Sequence, residues 1–131
     1  MKYILITTLL AAFPAWAETP LTAQEFETLS TGKTLYFSKD GKAYGIEHYY
    51  KGRLSKWRYS DGECANGEWF MRNELFCFNY EDVADTQCWS FVKTDNGGYA
   101  ARAEGAAPDD KLDLDFIDRK PLLCKGDGLA V

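Results

Sequence analysis

Residues 64–89, with the sequence CANGEWFMRNELFCFNYEDVADTQCW, decide the fold of this chain. The stretch holds three of the four cysteines and two of the four tryptophans. In segments 75–80 and 87–91 aromatic residues alternate with cysteine or polar residues, which is the two-residue period of a β-strand. Because turn residues separate these segments, the stretch predicts neighbouring antiparallel strands that disulfides can cross-link.

Turn signals recur along the rest of the chain, several of them about eleven residues apart. They lie at Asp40-Gly41, Lys51-Gly52, Asp61-Gly62, Asn66-Gly67, Asn73-Glu74 and 95–98. This spacing predicts a mainly β fold, an antiparallel meander of about seven strands closed as a barrel or a sandwich. Closure as a barrel would remove the exposed strand edges.

Two elements outside the cross-linked stretch carry local patterns of their own. The segment Thr22-Ala-Gln-Glu25 has the form of a capping box and predicts a short N-terminal helix over one end of the sheet. Near the other terminus, residues 112–116 alternate cleanly. We expect Leu112, Leu114 and Phe116 to point inward.

The first 17 residues have the pattern of a secretory signal peptide. Lys2 precedes a short apolar run, Pro14 breaks it, and Ala15-Trp16-Ala17 supplies a cleavage site. The run is shorter than the roughly 20 residues that a membrane span needs. We therefore expect a signal peptide at 1–17, a single β domain at 18–131, export to the periplasm or the medium, and no membrane insertion.

The charge of the chain argues against nucleic acid as a partner. The full chain carries a formal net charge of −5, and removing Lys2 leaves 14 basic against 20 acidic side chains. Nucleic acids and anionic membranes attract clustered lysine and arginine, which this sequence lacks. The expected partner is instead a small ligand or a periplasmic protein.

The four cysteines predict two disulfide bonds in an exported protein. Their spacing contains no pair of the C-x-x-C type, so a zinc site is not expected. Of the three possible pairings we favour Cys77 with Cys88 and Cys64 with Cys124, because a wide loop would place Cys77 and Cys88 on adjacent strands. A tight hairpin would put Cys88 opposite Glu81 instead, so the spacing leaves the register open.

No catalytic motif or cofactor-binding fingerprint is present in the sequence. The single histidine, His48, has no neighbouring nucleophile and is expected to be structural. Glu47 could pair with a second carboxylate for glycoside hydrolysis, but an acidic protein offers such pairs by chance. The aspartates at 109–118 lack the pattern of a calcium loop. We expect no enzyme activity, no metal and no cofactor.

Surplus aromatic residues are the remaining functional signal. Residues 18–131 contain 17 Phe, Trp and Tyr side chains, and rings around a barrel mouth could stack on a ligand. The candidate binding residues are Glu47, Tyr49, Trp57 and Trp69.

The chain resembles a family of small exported, disulfide-bonded β proteins of Gram-negative bacteria that has no assigned function. The matching pieces are Leu21-Thr-x-x-Glu25-Phe26, Thr31-Gly-Lys-Thr34-Leu35, Gly45-x-Glu47-x-Tyr49, Trp57, Glu63-Cys64-x-x-Gly67-x-Trp69-Phe70, Cys77-Phe78-x-Tyr80-Glu81-Asp82, Gln87-Cys88-Trp89 and Cys124. The resemblance implies a periplasmic β protein, favours the Cys77–Cys88 pairing, and offers no catalytic residues.

The function expected from these observations is a non-enzymatic binding or structural module of the periplasm, or a secreted one. The alternative is a proteinaceous inhibitor of a secreted hydrolase of the lysozyme or protease type, because a rigid loop loses little entropy on binding. Its candidate inhibitory loops are residues 82–86 and 95–98.

Overall fold

The structure is a computed structural model that describes residues 9, 11 and 18–127. The predicted signal peptide lies outside the described residues, apart from Leu9 and Ala11. Within the described residues the elements are one helix, α1 (Ala23–Ser30), and the strands β1 (Thr19–Pro20), β2 (Thr34–Lys39), β3 (Lys42–Tyr50), β4 (Leu54–Arg58), β5 (Cys64–Arg72), β6 (Leu75–Tyr80), β7 (Gln87–Lys93), β8 (Tyr99–Ala103) and β9 (Leu112–Asp118).

Strands β2 to β9 form a closed antiparallel barrel. Each strand from β2 to β7 pairs with the next, β2 pairs with β9, β9 with β8, and β8 with β7, which completes the circle. The short β1 pairs with Val92 and Lys93 in the C-terminal half of β7, beyond the residues of β7 that pair with β6. The predicted mainly β class is therefore confirmed, and the choice between barrel and sandwich falls to the barrel.

The two ends of the barrel differ. Turns 51–53, 73–74 and 94–98 connect strands at the end that α1 covers, called here the helix end. Turns 40–41, 59–63, 81–86 and 104–111 lie at the opposite end, called here the mouth end. In an up-and-down barrel alternate connections lie at opposite ends.

Helix α1 caps the helix end of the barrel, as its sequence predicts. The Thr22 hydroxyl accepts a hydrogen bond from the Glu25 N–H at 3.1 Å, and the Thr22 N–H donates to the Glu25 carboxylate at 3.1 Å. Phe26 is fully buried. Its ring centre lies 4.7–5.2 Å from four aromatic rings, those of Tyr49, Trp69, Phe76 and Phe91.

The alternation in β3 does not by itself say which face is the inner one. In the structure Gly45, Glu47 and Tyr49 face the barrel interior and are buried, so His48 lies on the outer face. The Thr34 hydroxyl donates to the Lys120 carbonyl and lies 2.7 Å from His48 Nδ1, so this ring nitrogen donates to Thr34. His48 is thus held in the wall of the barrel, away from its interior.

One inward prediction on β9 is wrong. Leu112 is buried as expected. Further along β9, Leu114 pairs with Phe37 and Phe116 pairs with the adjacent Tyr36, so β9 has one extra residue there and forms a β-bulge. The bulge turns Phe116 outward, where it is 55 % exposed and stacks on Tyr36 with ring centres 4.1 Å apart. Ile117 packs against the core in its place.

The disulfides join Cys77 to Cys88 and Cys64 to Cys124, which is the pairing that the sequence favours. Cys77 lies opposite Cys88 on β6 and β7, because the loop at 81–86 is wide. After β9 the tail of the chain first passes Thr34 on β2, whose hydroxyl donates a hydrogen bond to the Lys120 carbonyl. It then reaches the turn at Gly62, whose carbonyl accepts a hydrogen bond from the Lys125 N–H. Cys124 therefore fastens the tail across the outer face of the barrel.

No helix in the described part of the chain is long and apolar enough to cross a membrane.

Candidate functional site: an aromatic cavity with a buried carboxyl

A cavity of about 340 Å³ occupies the mouth-end half of the barrel interior. Its inner wall includes Phe37, Phe78 and Phe91, all of them buried. Such a volume is near the lower end of the range typical of sites for small molecules. The helix-end half of the interior is filled by the rings around Phe26, which explains why the cavity opens only in the other direction.

Four aromatic side chains surround the entrance of the cavity, and we call them the mouth aromatics. They are Tyr44, Trp57, Tyr59 and Trp89. The ring centre of Trp57 lies 6.0 Å from that of Tyr44 and 6.4 Å from that of Tyr59. The ring planes of Trp57 and Tyr59 meet at 85°. Tyr44 is 43 % exposed, and Ser60 and Gln87, which also line the cavity, are exposed as well. The cavity is therefore reachable from solvent.

The Glu47 carboxyl forms the polar point of the cavity wall. Its side chain is only 3 % exposed. Tyr80 donates to one carboxylate oxygen at 2.7 Å and Tyr49 donates to the other at 3.0 Å. The carboxyl is thus held in one orientation by two strands, its own β3 and the more distant β6.

Burial raises the pKa of Glu47 from its ordinary value of 4.5 to about 7. The hydrogen bonds from the tyrosines act in the opposite direction, since they favour the charged form. Ser55 also acts to lower this pKa, although its buried hydroxyl has no partner at hydrogen-bonding geometry in the described part of the chain. Near neutral pH the carboxyl therefore exists in both protonation states.

The tyrosines around Glu47 remain neutral over the same pH range. Burial raises the pKa of Tyr49 and of Tyr80 well above the ordinary value, and the nearby Glu47 charge adds to the effect. Burial and the hydrogen bond to Asp82 raise the pKa of Tyr59 to about 12. Glu47 is consequently the group of the site that changes charge near pH 7.

Two glycines allow aromatic rings from neighbouring strands to approach the backbone closely. A Cβ atom on Gly45 would lie 2.1 Å from Trp57 Cζ2, and one on Gly67 would lie 2.7 Å from Tyr80 Cδ1. Both distances are far shorter than van der Waals contact, so an alanine at either position would displace a ring of the site. The segments around Gly45 and Gly67 thus serve the packing of Trp57 and Tyr80.

The structure places two of the four candidate binding residues in the cavity wall and a third directly behind it. Glu47 and Trp57 both line the cavity, and Tyr49 lies behind Glu47 as its hydrogen-bond donor. Trp69 lies at the helix end, packed on Phe26 and with the Arg53 guanidinium 4.6 Å from its ring centre. It is therefore separated from the cavity by the ring of Phe26.

Sequence reasoning missed Tyr80 and Trp89 as parts of the site. Both residues lie on the aromatic faces of alternating segments, Tyr80 with Phe76 and Phe78 and Trp89 with Phe91. This alternation predicts that both side chains face the barrel interior. It could not show that the interior is left partly empty at the level of Tyr80 and Trp89.

The geometry bears on the enzymatic alternatives as well. Glycoside hydrolysis uses two carboxylates, and among the described residues that line the cavity Glu47 is the only acidic one. Within the described range, no group of three or more His, Cys, Asp or Glu side chains could hold a metal ion.

The two candidate inhibitory loops lie at opposite ends of the barrel. Residues 82–86 belong to the β6–β7 turn at the mouth end, and residues 95–98 belong to the β7–β8 turn at the helix end. The two loops are therefore not adjacent on the surface of the barrel.

Comparisons of the chain with protein-family models, curated proteins and solved structures find no match. The structure defines the chain as a small disulfide-bonded β-barrel protein with an interior cavity.

Proposed function

We propose that this protein is a non-enzymatic binding module of the periplasm, or a secreted one, which holds a small and largely apolar ligand in the barrel cavity. The observation that carries the proposal is the cavity of about 340 Å³, lined by aromatic rings and open at the mouth end. Sites for small molecules typically combine apolar walls with a few fixed polar groups, and Glu47 supplies such a group here.

The frame around the cavity favours a preformed site. The barrel is closed by backbone hydrogen bonds, α1 fills the helix end, and the Cys77–Cys88 bond spans the two strands that carry Tyr80 and Trp89. A site that is rigid before binding loses little conformational entropy when the ligand enters. The cross-linked strands therefore support affinity without any further contact.

The disulfides also support the location. All four cysteines are joined in two bonds, and such bonds persist in oxidising compartments. Together with the signal-peptide pattern at 1–17, they support export to the periplasm or the medium.

The test uses the oxidised chain from Glu18 onward and N-phenyl-1-naphthylamine, an uncharged aromatic probe whose fluorescence rises in apolar surroundings. We expect saturable binding to the wild type. Gln87 lies at the entrance and is exposed, so Gln87→Trp fills the mouth without disturbing the core. This variant should bind the probe at least about tenfold more weakly, a difference of about 1.4 kcal/mol.

Gln24→Trp is the matched control, because Gln24 lies on the exposed face of α1 at the other end of the barrel. It adds the same side chain and should leave binding unchanged. Equal affinity of the Gln87→Trp and Gln24→Trp variants, or no saturable binding to the wild type, would show that the cavity is not a binding site.

A further inference from the structure

We infer that the cavity takes an organic cation, a ligand whose ammonium group sits between the Glu47 carboxylate and the mouth aromatics. The inference rests on the proposed function and specifies the class of ligand. It follows from three features of the site, which are the charge of its lining, the acceptor capacity of Glu47 and the arrangement of the rings.

The lining is electrostatically one-sided. In the described part of the chain no Lys, Arg or His lines the cavity, whereas Glu47 contributes a carboxyl. An anionic ligand would enter without a partner for its charge, and burying an unpaired charge is costly. A cation would meet the Glu47 carboxyl inside, and behind Tyr59 the exposed Asp82 carboxylate, which accepts a hydrogen bond from the Tyr59 hydroxyl at 2.8 Å, adds a further negative charge.

Glu47 retains the capacity to bind a further group. A carboxylate offers about four lone-pair positions. The hydrogen bonds from Tyr49 and Tyr80 occupy one position on each oxygen and fix the carboxyl in place. The remaining positions can accept from an ammonium group or face its positive charge, so the two tyrosines orient Glu47 without using up its acceptors.

The mouth aromatics present ring surfaces suited to a cation. The negative face of an aromatic ring attracts ammonium ions, most strongly in tryptophan, and several rings in different planes can surround one cation. Trp57 meets Tyr44 at 56° and Tyr59 at 85°, so these rings form walls of different orientation. An uncharged ligand of the same shape would gain only the apolar part of this contact.

The charge of Glu47 gives the binding a direction in pH. Its pKa is about 7 because of burial, and a cation binds the ionised form. The other titratable groups that face it, Tyr49 and Tyr80, have pKa values far above this range, and that of Tyr59 is about 12. Affinity for a permanent cation should therefore fall between pH 8 and pH 5.5, while affinity for an uncharged ligand stays constant.

The test compares phenyltrimethylammonium with tert-butylbenzene, which has the same shape and carries carbon in place of the charged nitrogen. Binding is measured by NMR titration at pH 8 and pH 5.5. We expect the cation to bind the wild type at least about tenfold more tightly at pH 8. In Glu47→Gln this preference should disappear, and Tyr44→Leu should weaken the cation several-fold with little effect on tert-butylbenzene.

Glu68→Gln is the matched control, because Glu68 is exposed on the outer face of β5. It should retain the preference for the cation. Tight binding of tert-butylbenzene or N-phenyl-1-naphthylamine without a preference for the cation would overturn this inference and leave the proposed function intact. If none of the three probes bound, both proposals would be wrong.

Discussion

Glu47 shows how a single buried residue can link the stability of the barrel to pH. In the unfolded chain its carboxyl ionises near pH 4.5, whereas in the folded protein it ionises near 7. Between these values the folded state holds a proton that the unfolded state has lost, so the contribution of Glu47 to stability falls as the pH rises. Above pH 7 the accumulated cost is on the order of 3 kcal/mol.

Glu47→Gln removes this titration and keeps the shape of the side chain. We predict that the free energy of unfolding of the variant, relative to the wild type, increases from pH 5 to pH 8 by about 2–3 kcal/mol. Urea unfolding at the two pH values measures the change. The exposed Glu68→Gln serves again as control and should show no such change. Parallel pH profiles of wild type and Glu47→Gln would mean that Glu47 is not protonated near neutrality in the folded state.

The position of Glu47 could not be derived from its sequence neighbours. The alternation in β3 separates Gly45, Glu47 and Tyr49 from Ile46, His48 and Tyr50, but both faces contain apolar and polar residues. The inward face is chosen by packing, since Gly45 leaves room for Trp57 and Tyr80 reaches Glu47 from a strand 33 residues away. Sequence rules that consider only neighbouring residues cannot predict a contact between residues this far apart in the chain.

At the scale of elements, α1 separates stability from binding. The helix covers the helix end of the barrel, so its N-cap and the buried Phe26 lie at the opposite end from the mouth aromatics. Losing an N-cap hydroxyl typically costs about 1 kcal/mol. We predict that Thr22→Ala lowers the free energy of unfolding by about this amount and leaves the affinity for N-phenyl-1-naphthylamine unchanged.

Thr22→Ser keeps the capping hydroxyl and is the appropriate control, which should have nearly wild-type stability. Urea unfolding and probe titration measure both properties on the same samples. A loss of affinity in Thr22→Ala that exceeds its loss of stability would show that α1 and the cavity are coupled.

Elements with strong local signals were the most predictable. The capping box in α1 and the alternating strands β6 and β7 occur where their sequences indicate. The fate of Phe116 was not predictable, because the bulge that turns it outward depends on how β9 pairs with β2. Pairing register is a property of two neighbouring strands, so it cannot be read from the sequence of one strand alone.

The whole molecule is held by two disulfides with different roles. The Cys64–Cys124 bond closes a loop of 60 residues and fastens the tail to the outside of the barrel. The Cys77–Cys88 bond closes a loop of 11 residues next to the cavity mouth. Loop-closure entropy assigns about 4 kcal/mol to the long loop and about 3 kcal/mol to the short one, large shares of a typical total of about 5–15 kcal/mol.

We predict that replacing Cys64 and Cys124 together by alanine lowers stability by about 4 kcal/mol and leaves probe affinity nearly unchanged. Replacing Cys77 and Cys88 should lower both, because β6 and β7 carry Tyr80 and Trp89. Guanidinium unfolding and titration with N-phenyl-1-naphthylamine give the two quantities. A larger loss of affinity in the Cys64/Cys124 variant would contradict the division of roles.

The sequence by itself determined the class of the fold, the helix at its N-terminal side and the presence of two cross-links, because turn residues, alternation and caps act over a few neighbouring positions. Only the tertiary structure decided that the sheet closes into a barrel, that Glu47 points inward, and that the rings around Trp57 leave a cavity. These features arise from contacts between residues far apart in the chain, where the summed volumes of inward side chains determine how much of the interior is filled.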